Sequence, residues 1–411
     1  MGYLRLGTHP DAKKHLLCTF YVESSLPIKQ AAEWIAAESS IGTWTDLATL
    51  RPQVAEKLGA KVYKIDPNKH LVHIAYPLDL FELGSIPQLA SSILGNIFSM
   101  KLLKNLRLLN IEFPPAYIKA FEGPKFGPAG VRKFLNIPKR PILGCIIKPK
   151  VGLSAKEQAD VAYNVWLNGI DLIKDDENLT DMTFNRFEDR VDHVMVMKKR
   201  VEKETKSKKV YVFNITGPMD VMFDRAEYVQ KKGGECVMVD IVSTGLDNVQ
   251  LFRKANFNLI LHGHRAGHSL FTKNERHGYT MYVLAQLARL AGIDQLHTGT
   301  VVGKMEGTKE DILEINKMLL SKWGMIKPTL PIASGGLHPG MTEKLYKILG
   351  NDCVINFGGG VHGHPLGSGA GARAAYQSIE AVAIRGLSLA KAIKLPEYKE
   401  LAQAVEYWGK I

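Results

Sequence analysis

The feature that most constrains the fold is a rhythm that begins near Pro141: short apolar runs, each followed by a polar turn and a longer amphipathic stretch. Strands that alternate with helices need parallel crossover connections, and eight such units predict a closed (β/α)8 TIM barrel rather than an open sheet. The predicted strands are Ile142–Lys148, Leu172–Lys174, Val210–Ile215, Cys236–Ile241, Leu259–His262, Gln295–Thr298, Pro331–Ser334 and Val354–Phe357.

Helical periodicity fills most of the intervals between these strands. The predicted helices are Ala155–Asn168, Phe187–Glu204, Asp224–Lys232, Tyr282–Ala291, Lys309–Trp323 and Thr342–Leu349. Two further helices, Ala370–Arg385 and Glu400–Trp408, would close and cap the barrel. The fold class is therefore α/β.

The residues before the barrel have a different pattern, in which alternating strand-like segments mix with helical ones. A segment rich in glycine and proline, Phe121–Gly130, marks a junction. We therefore expect an N-terminal α+β domain at residues 1–122 and a barrel domain with C-terminal helices at residues 123–411. The N-terminal elements are strands near Leu16–Val22 and Leu71–Ala75, and helices near Ile28–Ala37 and Pro87–Leu94.

Composition excludes several classes of protein. Hydrophobic residues make up 45% and charged residues 23%, as in ordinary globular proteins. Apolar runs long enough for a membrane span and the apolar core of a secretion signal are both missing from the sequence, so we expect a cytoplasmic protein without a membrane partner. The four cysteines are far apart and predict neither a zinc site nor disulfides.

The net charge of +12 comes from dispersed lysines and arginines. Nucleic-acid binding is not expected, because the densest basic groups fall on one predicted helix and the turn after it. The same positive field would attract a doubly phosphorylated small substrate.

Polar residues mark the ends of the predicted strands, one for each unit. In a barrel of this kind the carboxyl ends of the strands form the catalytic rim. The rim residues are Lys148, Lys174, Asn214, Asp240, His264, His297, Ser334 and Gly358.

The stretch DLIKDDENLT places Lys174 beside a run of acids at a strand end. Asp176 and Glu177 are suitable ligands for Mg²⁺, but two carboxylates seldom complete a site. A lysine ammonium cannot be the third ligand, whereas the carbamate formed by CO2 and the neutral amine is an anion with two oxygens. The alternative is an ordinary ion pair.

In GCIIKPKVG, Lys148 and Lys150 are two residues apart, so both would face the barrel mouth if the strand continues through Pro149. Cations there can stabilise a developing enolate or donate a proton. In LHGHRAGH, Arg265 offers bidentate phosphate binding, and His297 would add a second donor.

Glycines shape the remaining segments of the rim. Gly299 and Gly303 could hinge a lid that carries Lys304. The loops after strands seven and eight suit a phosphate site built from backbone N–H groups. Their close backbone approach depends on Gly335, Gly336, Gly358 and Gly359.

From about Ala31 to Arg373 the chain resembles the large subunit of ribulose-1,5-bisphosphate carboxylase/oxygenase, the Rubisco family, and most of all its archaeal form III branch. The motifs that carry the resemblance, in family order, are AAESSIGTWT, GNIF, GCIIKPKVG, IKDDEN, HGHRAGH, HTGTVVGKMEG, ASGGLHPG and FGGGVHGHP. The segments GNIFSMK, DDENLT, NRFEDR and GGGVHGHP carry the likeness to the archaeal branch.

The resemblance implies an active site. Lys174 would be carbamylated by CO2 and would bind Mg²⁺ with Asp176 and Glu177, and the catalytic set would be Lys148, Lys174, His264 and Lys304. Arg265 and His297 would bind one phosphate of the substrate. The other substrate-binding residues would be Thr43, Trp44, Lys150, Ser334, Gly335, Gly336, Gly358 and Gly359, with Glu38 and Asn96 supplied by a neighbouring subunit.

The implied activity is that of a lyase: carboxylation of ribulose 1,5-bisphosphate through an enediolate to two molecules of 3-phosphoglycerate. Oxygenation by O2 would compete, as a monooxygenase reaction. The implied active unit is a homodimer or a higher assembly of dimers without a small subunit. The implied pathway is salvage of nucleoside monophosphates such as AMP.

Two other functions stay open on the sequence. One is a Rubisco-like enolase or isomerase that acts on another sugar phosphate, for example 2,3-diketo-5-methylthiopentyl 1-phosphate. The other is a non-catalytic binding or scaffold protein. The segment between Gly307 and Pro331 is shorter than is usual in the family, which bears on the support of the lid.

Overall fold

The structure is a computed structural model that describes residues 2–43, 45–302 and 308–409. Two predicted site residues, Trp44 and Lys304, and the predicted hinge residue Gly303 lie outside the described residues. The backbone contacts divide the chain into two compact units. The first comprises Met1–Gly123, Gly267–Ala291 and Lys322–Ile326, and the second comprises Pro124–Ala266, Gly292–Ser321 and Lys327–Ile411.

The strands are numbered here in chain order. They are β1 (His15–Ser24), β2 (Lys61–Asp66), β3 (Leu71–Pro77), β4 (Leu103–Glu112), β5 (Ile142–Ile146), β6 (Leu172–Lys174), β7 (Val210–Asn214), β8 (Cys236–Asp240), β9 (Ile260–His264), β10 (Gly278–Tyr279), β11 (Gln295–His297), β12 (Leu330–Ser334) and β13 (Val354–Phe357).

The α-helices of the first unit are Ile28–Glu38, Pro52–Leu58, Ile86–Ile93, Pro115–Lys119, Ser269–Thr272 and Met281–Ala291. Those of the second unit are Gly127–Leu135, Ala155–Leu167, Phe187–Thr205, Met219–Lys231, Ile241–Thr244, Leu246–Lys254, Lys309–Leu320, Thr342–Leu349, Gly359–His362, Gly367–Ile379, Leu389–Ala392 and Lys399–Trp408. Among the described helices, none is both long and apolar enough to cross a membrane.

The first unit contains a mixed five-stranded sheet in the order β10-β4-β1-β3-β2. Its central strand β1 pairs antiparallel with both β3 and β4. Alternate residues of β1 are buried, namely Leu16, Cys18, Phe20 and Val22. This period of two is the pattern of a strand with one face on a core, as the sequence predicts.

The second unit contains the predicted barrel, in which β5, β6, β7, β8, β9, β11, β12 and β13 close on one another. Every pairing within it is parallel. The first residues of the strands, such as Ile142, Leu172 and Val210, form an apolar cluster with Val131 and Leu135 of the preceding helix. One end of the barrel is therefore closed by hydrophobic packing, which leaves the carboxyl ends of the strands for polar side chains.

The structure confirms the predicted fold class but shifts several boundaries. Strand β5 ends at Ile146 rather than at Lys148, and β9 continues to His264 rather than ending at His262. The helix predicted from Asp224 begins at Met219, directly after Pro218. A proline before a helix needs no hydrogen-bonded N–H group, so the helix can begin directly after Pro218.

Candidate active site

The predicted rim residues lie together at the carboxyl ends of the barrel strands. Strands β6, β7, β8, β9, β11 and β12 end at Lys174, Asn214, Asp240, His264, His297 and Ser334, respectively. Lys148 follows the end of β5 by two residues, and Gly358 directly follows β13. Because the strands are parallel, these positions share one mouth of the barrel.

Lys174 is fully buried at this mouth. Its Nζ donates a hydrogen bond to the Asp175 carbonyl oxygen at 2.7 Å and lies 4.0 Å from Oε2 of Glu177. Burial lowers the pKa of Lys174 by more than the neighbouring carboxylates, led by Glu177 and Asp176, raise it. Lys174 therefore loses its proton to give the neutral amine more readily than an exposed lysine does.

Two further lysines contact the carboxylates beside Lys174. Nζ of Lys148 donates to Oδ2 of Asp176 at 2.7 Å, and Nζ of Lys150 lies 3.7 Å from Oε1 of Glu177. The condition for alignment by strand alternation, that the strand continues through Pro149, is not met, because β5 ends at Ile146. Both side chains reach the acids from the loop that follows the strand.

The carboxyl of Glu177 has a lowered pKa. Burial raises the pKa of its carboxyl, but the charges of His264, Lys174 and Lys150 outweigh that effect and lower the pKa to about 2. An ionised carboxylate at neutral pH is the form that binds a divalent cation.

The donor set fits a metal site that needs one more anionic ligand. Within the described residues no group of three histidine, cysteine, aspartate or glutamate side chains is arranged to hold a metal ion. Asp176 and Glu177 supply two carboxylates, and the buried end of Lys174 points to the same place. The ammonium groups of Lys148 and Lys150 balance the charge that a divalent cation would otherwise balance.

Asp175 has a different role from the two acids that follow it. Its carboxylate accepts hydrogen bonds from Nε of Arg190 at 3.1 Å, the Tyr211 hydroxyl at 2.7 Å and the Asn214 N–H at 2.9 Å, all in the protein interior. Motif reading did not identify this anchor. Asp175 directly follows the last residue of β6, so the sequence pattern of the strand does not show which way its side chain points.

His264 lies between two acids. Its Nδ1 is 2.9 Å from Oδ1 of Asp240, and its Nε2 is 3.6 Å from Oε2 of Glu177. The carboxylate at Nδ1 fixes the orientation of the ring, so that its other nitrogen faces the site of Glu177.

His297 has a partner at each ring nitrogen. Its Nδ1 is 2.7 Å from the Ser334 hydroxyl, and its Nε2 is 2.8 Å from Nε2 of His262. Nδ1 of His262 is in turn 3.0 Å from Oε1 of Gln295. Burial is the main cause that lowers the pKa of both histidines well below the usual value, so both rings are neutral at pH 7. The sequence motifs predicted neither the contact of His262 with His297 nor the role of Gln295.

Arg265 is buried beside the loop that follows His297. A Cβ atom at Gly299 would lie 2.7 Å from Nη2 of Arg265, and Gly299 has a φ of +100°. Glycine is therefore required at this position for two reasons, backbone conformation and the approach of the guanidinium. The arrangement brings the predicted phosphate ligands Arg265 and His297 to one side of the mouth.

The glycine loops after β12 and β13 also reach the mouth. Gly335 and Gly336 have positive φ values of +114° and +70°. A Cβ atom at Gly358 would lie 3.1 Å from Cγ2 of Ile146, whereas one at Gly359 would meet no atom within 4 Å. Because glycine has no side chain, a ligand can approach the backbone amides of these loops closely.

The predicted residues of the first unit form a separate group. Glu38 ends the helix Ile28–Glu38, and Asn96 begins the 3-10 turn Asn96–Ser99, which contacts that helix. Thr43 lies in the irregular segment beyond the helix.

Comparison with known families gives two matches that cover most of the chain. Residues 2–117 match the ribulose bisphosphate carboxylase large chain, N-terminal domain, and residues 129–408 match the catalytic domain of the same protein. The chain is 48% identical to a ribulose bisphosphate carboxylase of Pyrococcus abyssi over 100% of this chain and 96% of that protein. It is 45% identical to one of Methanocaldococcus jannaschii over 99% and 100%.

Solved structures show the same similarity. An octameric ribulose-1,5-bisphosphate carboxylase/oxygenase from Pyrococcus horikoshii superposes with a TM-score of 0.94 at 46% identity, over 99% of this chain and 98% of that one. A dimeric archaeal Rubisco from Hyperthermus butylicus superposes with a TM-score of 0.93 at 41% identity, over 100% and 99%.

Proposed function

The chain belongs to the ribulose bisphosphate carboxylase large-chain family, and from this membership we propose that it adds CO2 to ribulose 1,5-bisphosphate to give two molecules of 3-phosphoglycerate. One observation carries the proposal: the buried amine of Lys174 lies beside Asp176 and Glu177 at the barrel mouth. O2 competes with CO2 for the same intermediate, so oxygenation accompanies the reaction.

The metal site consists of Lys174 as its carbamate, Asp176 and Glu177. When bound there, Mg²⁺ stabilises the negative charge that develops on the substrate oxygens. The fit of the donor set supports this assignment, because a carbamate supplies the third anion beside two carboxylates.

The side chains then divide the proton transfers between them. When carbamylated, Lys174 would accept the proton from C3 of the substrate, and CO2 would then add at C2 of the resulting enediolate. His264, oriented by Asp240, faces the C3 hydroxyl. Lys304 stabilises the carboxylate that forms when CO2 adds. After hydration and cleavage of the C–C bond, the ammonium of Lys148 protonates the final carbanion.

The remaining residues bind the substrate. Arg265 supplies the N–H donors for one phosphate, and His297 lies beside it with both ring nitrogens already hydrogen-bonded. Ser334 contacts a substrate hydroxyl. Lys150 adds positive charge near Glu177. The other phosphate takes backbone and side-chain groups of Thr43, Trp44, Gly335, Gly336, Gly358 and Gly359, an assignment supported by the open backbone of the two glycine loops.

We propose a homodimer as the minimal active unit, in which Glu38 and Asn96 complete the site of a neighbouring subunit. The solved relatives from Hyperthermus butylicus and Pyrococcus horikoshii are a dimer and an octamer, which supports a dimer or an assembly of dimers. We expect no small subunit. The likeness to archaeal relatives supports a role in AMP salvage. The four cysteines are buried free thiols, which supports a cytoplasmic location.

A carboxylation assay tests the proposal. The protein is incubated with bicarbonate and Mg²⁺, and then receives ribulose bisphosphate and labelled CO2. Label should appear in 3-phosphoglycerate and disappear in Lys174→Ala. Lys209→Ala is the matched control, because Lys209 is also buried but lies at the start of β7, where it donates to the Ile170 carbonyl, away from the mouth.

The assay also separates the proposed reaction from the enolase-type alternative. Exchange of the C3 proton without labelled 3-phosphoglycerate would assign the chain to the Rubisco-like enolases. Equal activity of wild type and Lys174→Ala would contradict both readings.

A further inference from the structure

Four buried or half-buried side chains form a continuous hydrogen-bonded chain across neighbouring barrel strands. It runs from Ser334 on β12 through His297 on β11 and His262 on β9 to Gln295, with links of 2.7, 2.8 and 3.0 Å. His262 and Gln295 are opposite each other in the strand ladder and are fully buried. Neither has a role in the site derived above.

The two rings restrict where the protons of this chain can be. A hydrogen bond between Nε2 of His262 and Nε2 of His297 needs a proton on one of the two nitrogens only. Neutral imidazole has one N–H group, so the choice at this link also determines the proton at both Nδ1 atoms. The protons of the whole chain therefore point in one common direction.

The amide of Gln295 selects that direction. In the structure Oε1 of Gln295 lies 3.0 Å from Nδ1 of His262, and in this orientation the amide oxygen can only accept, whereas the reversed amide would donate. His262 then carries its proton on Nδ1, His297 donates from Nε2, and the bare Nδ1 of His297 accepts the Ser334 hydroxyl proton. The hydroxyl oxygen consequently presents only lone pairs to the barrel mouth.

We propose that Gln295 and His262 are positioning residues that hold Ser334 as a hydrogen-bond acceptor, and so select a substrate hydroxyl rather than an anionic oxygen at that point. The inference rests on the proposed function for the identity of the substrate, a sugar bisphosphate with free hydroxyls. The direction of the chain itself is a property of the protein without substrate.

The cost of Gln295 supports a role beyond packing. Its Nε2 is buried and has no hydrogen-bond partner among the residues that the structure describes. An unsatisfied buried amide N–H group destabilises the folded state, and an apolar side chain of similar size would avoid that cost. Gln295 nevertheless supplies Oε1 as a hydrogen-bond acceptor for Nδ1 of His262.

Ring ¹⁵N spectra of histidine-labelled protein without substrate test the direction of the chain, with assignments from the His262→Asn and His297→Asn variants. We expect a protonated Nδ1 in His262 and a bare Nδ1 in His297 in wild type and in Gln295→Glu, which keeps an acceptor. Gln295→Met should give mixed tautomers. The reverse pattern in wild type, with Nδ1 of His297 protonated, would overturn the proposal.

Kinetics test the consequence at Ser334. Gln295→Met should raise KM for ribulose bisphosphate about tenfold and leave kcat nearly unchanged. About tenfold is the lower end of the effect of removing a residue that fixes the tautomer of a histidine. In the Ser334→Ala background the same substitution should have no further effect. Additive effects on KM would contradict the coupling.

Gln286→Met is the matched control. Gln286 is likewise a buried glutamine, with one amide atom that has no partner within the described part of the chain, but its Nε2 donates to the Ile111 carbonyl in the first unit. It should change neither the ring spectra nor KM. If wild type incorporates no labelled CO2, the proposed function fails, whereas the ring spectra still decide whether the hydrogen-bonded chain has the proposed direction.

Discussion

The ammonium nitrogen of Lys148 lies 2.7 Å from Oδ2 of Asp176, although 28 positions separate the two residues in the chain. This contact places a proton donor directly beside a proposed metal ligand. It also explains how a lysine beyond the end of β5 still reaches the centre of the mouth.

The first prediction concerns this lysine. Lys148→Met should lower kcat about a hundred- to ten-thousand-fold, the usual effect of removing a general acid, with a smaller change in KM for ribulose bisphosphate. Lys150→Met should act mainly on KM, because its ammonium is more exposed and lies 3.7 Å from Glu177. Steady-state carboxylation assays measure both, and equal losses of kcat would argue against the separate roles.

The second prediction concerns the buried anchor of the Lys174 segment. Arg190→Met leaves the Asp175 carboxylate without its cation in the interior, where both side chains are fully buried. Removal of one partner from such a pair costs about 3–5 kcal/mol in the free energy of unfolding. Urea denaturation measures the change.

Arg186→Met serves as the control for that measurement. Arg186 pairs with Asp181 at 3.5 Å on the surface, with 55% and 38% of the two side chains exposed. Exposed pairs contribute less than about 1 kcal/mol. Similar losses in the two variants would show that the pair Arg190–Asp175 is not an anchor.

The third prediction is a dependence of stability on pH. Burial lowers the pKa of His362 from 6.5 to about 4, while its Nε2 donates to the Ile146 carbonyl. The unfolded chain therefore binds this proton more readily, so stability falls as pH decreases from about 6.5 to about 4, by on the order of 3 kcal/mol, and is fully present above that range.

His362→Asn removes the titrating ring and should flatten this part of the stability curve. Urea titrations of wild type and variant at several pH values give the difference curve. The prediction fails if the two curves remain parallel between pH 4 and pH 6.5.

The fourth prediction concerns Gly299. An added methyl group would lie 2.7 Å from Nη2 of Arg265, at a position where φ is +100°. Gly299→Ala should displace the guanidinium of Arg265 and so raise KM for ribulose bisphosphate. The contact itself should cost little stability, because the long arginine side chain can move.

Gly233→Ala isolates the backbone effect. Gly233 has a φ of +84°, and an added Cβ would meet only Cε of Met195, at 4.0 Å. This variant should lose stability without a change in KM. An unchanged KM in Gly299→Ala would argue that Arg265 does not bind the bisphosphate.

The fifth prediction tests the shared site. Glu38→Gln and Lys174→Ala should each abolish carboxylation when expressed alone. In a mixed population of symmetric dimers, half of the molecules contain both chains, and one of their two sites is free of both substitutions, so about a quarter of the activity returns. No recovery after co-expression would place Glu38 in the site of its own subunit.

Much of the fold and of the site follows from local patterns. The alternation of apolar runs and helices predicts the barrel, and a polar residue at each strand end predicts its mouth, because parallel strands carry their carboxyl ends to one side. The pair Asp176 and Glu177 beside Lys174 predicts a cation site from ligand chemistry alone. These inferences need only neighbours in sequence.

The tertiary structure decided the contacts that depend on closure of the barrel. It turned Asp175 inward to Arg190 and Tyr211, brought Lys148 to Asp176 from beyond its strand, and linked Gln295 to Ser334 through two histidines. The spacing of residues along the chain does not encode such distances. They arise from the register between strands that are far apart in sequence, which is determined only when the whole barrel packs.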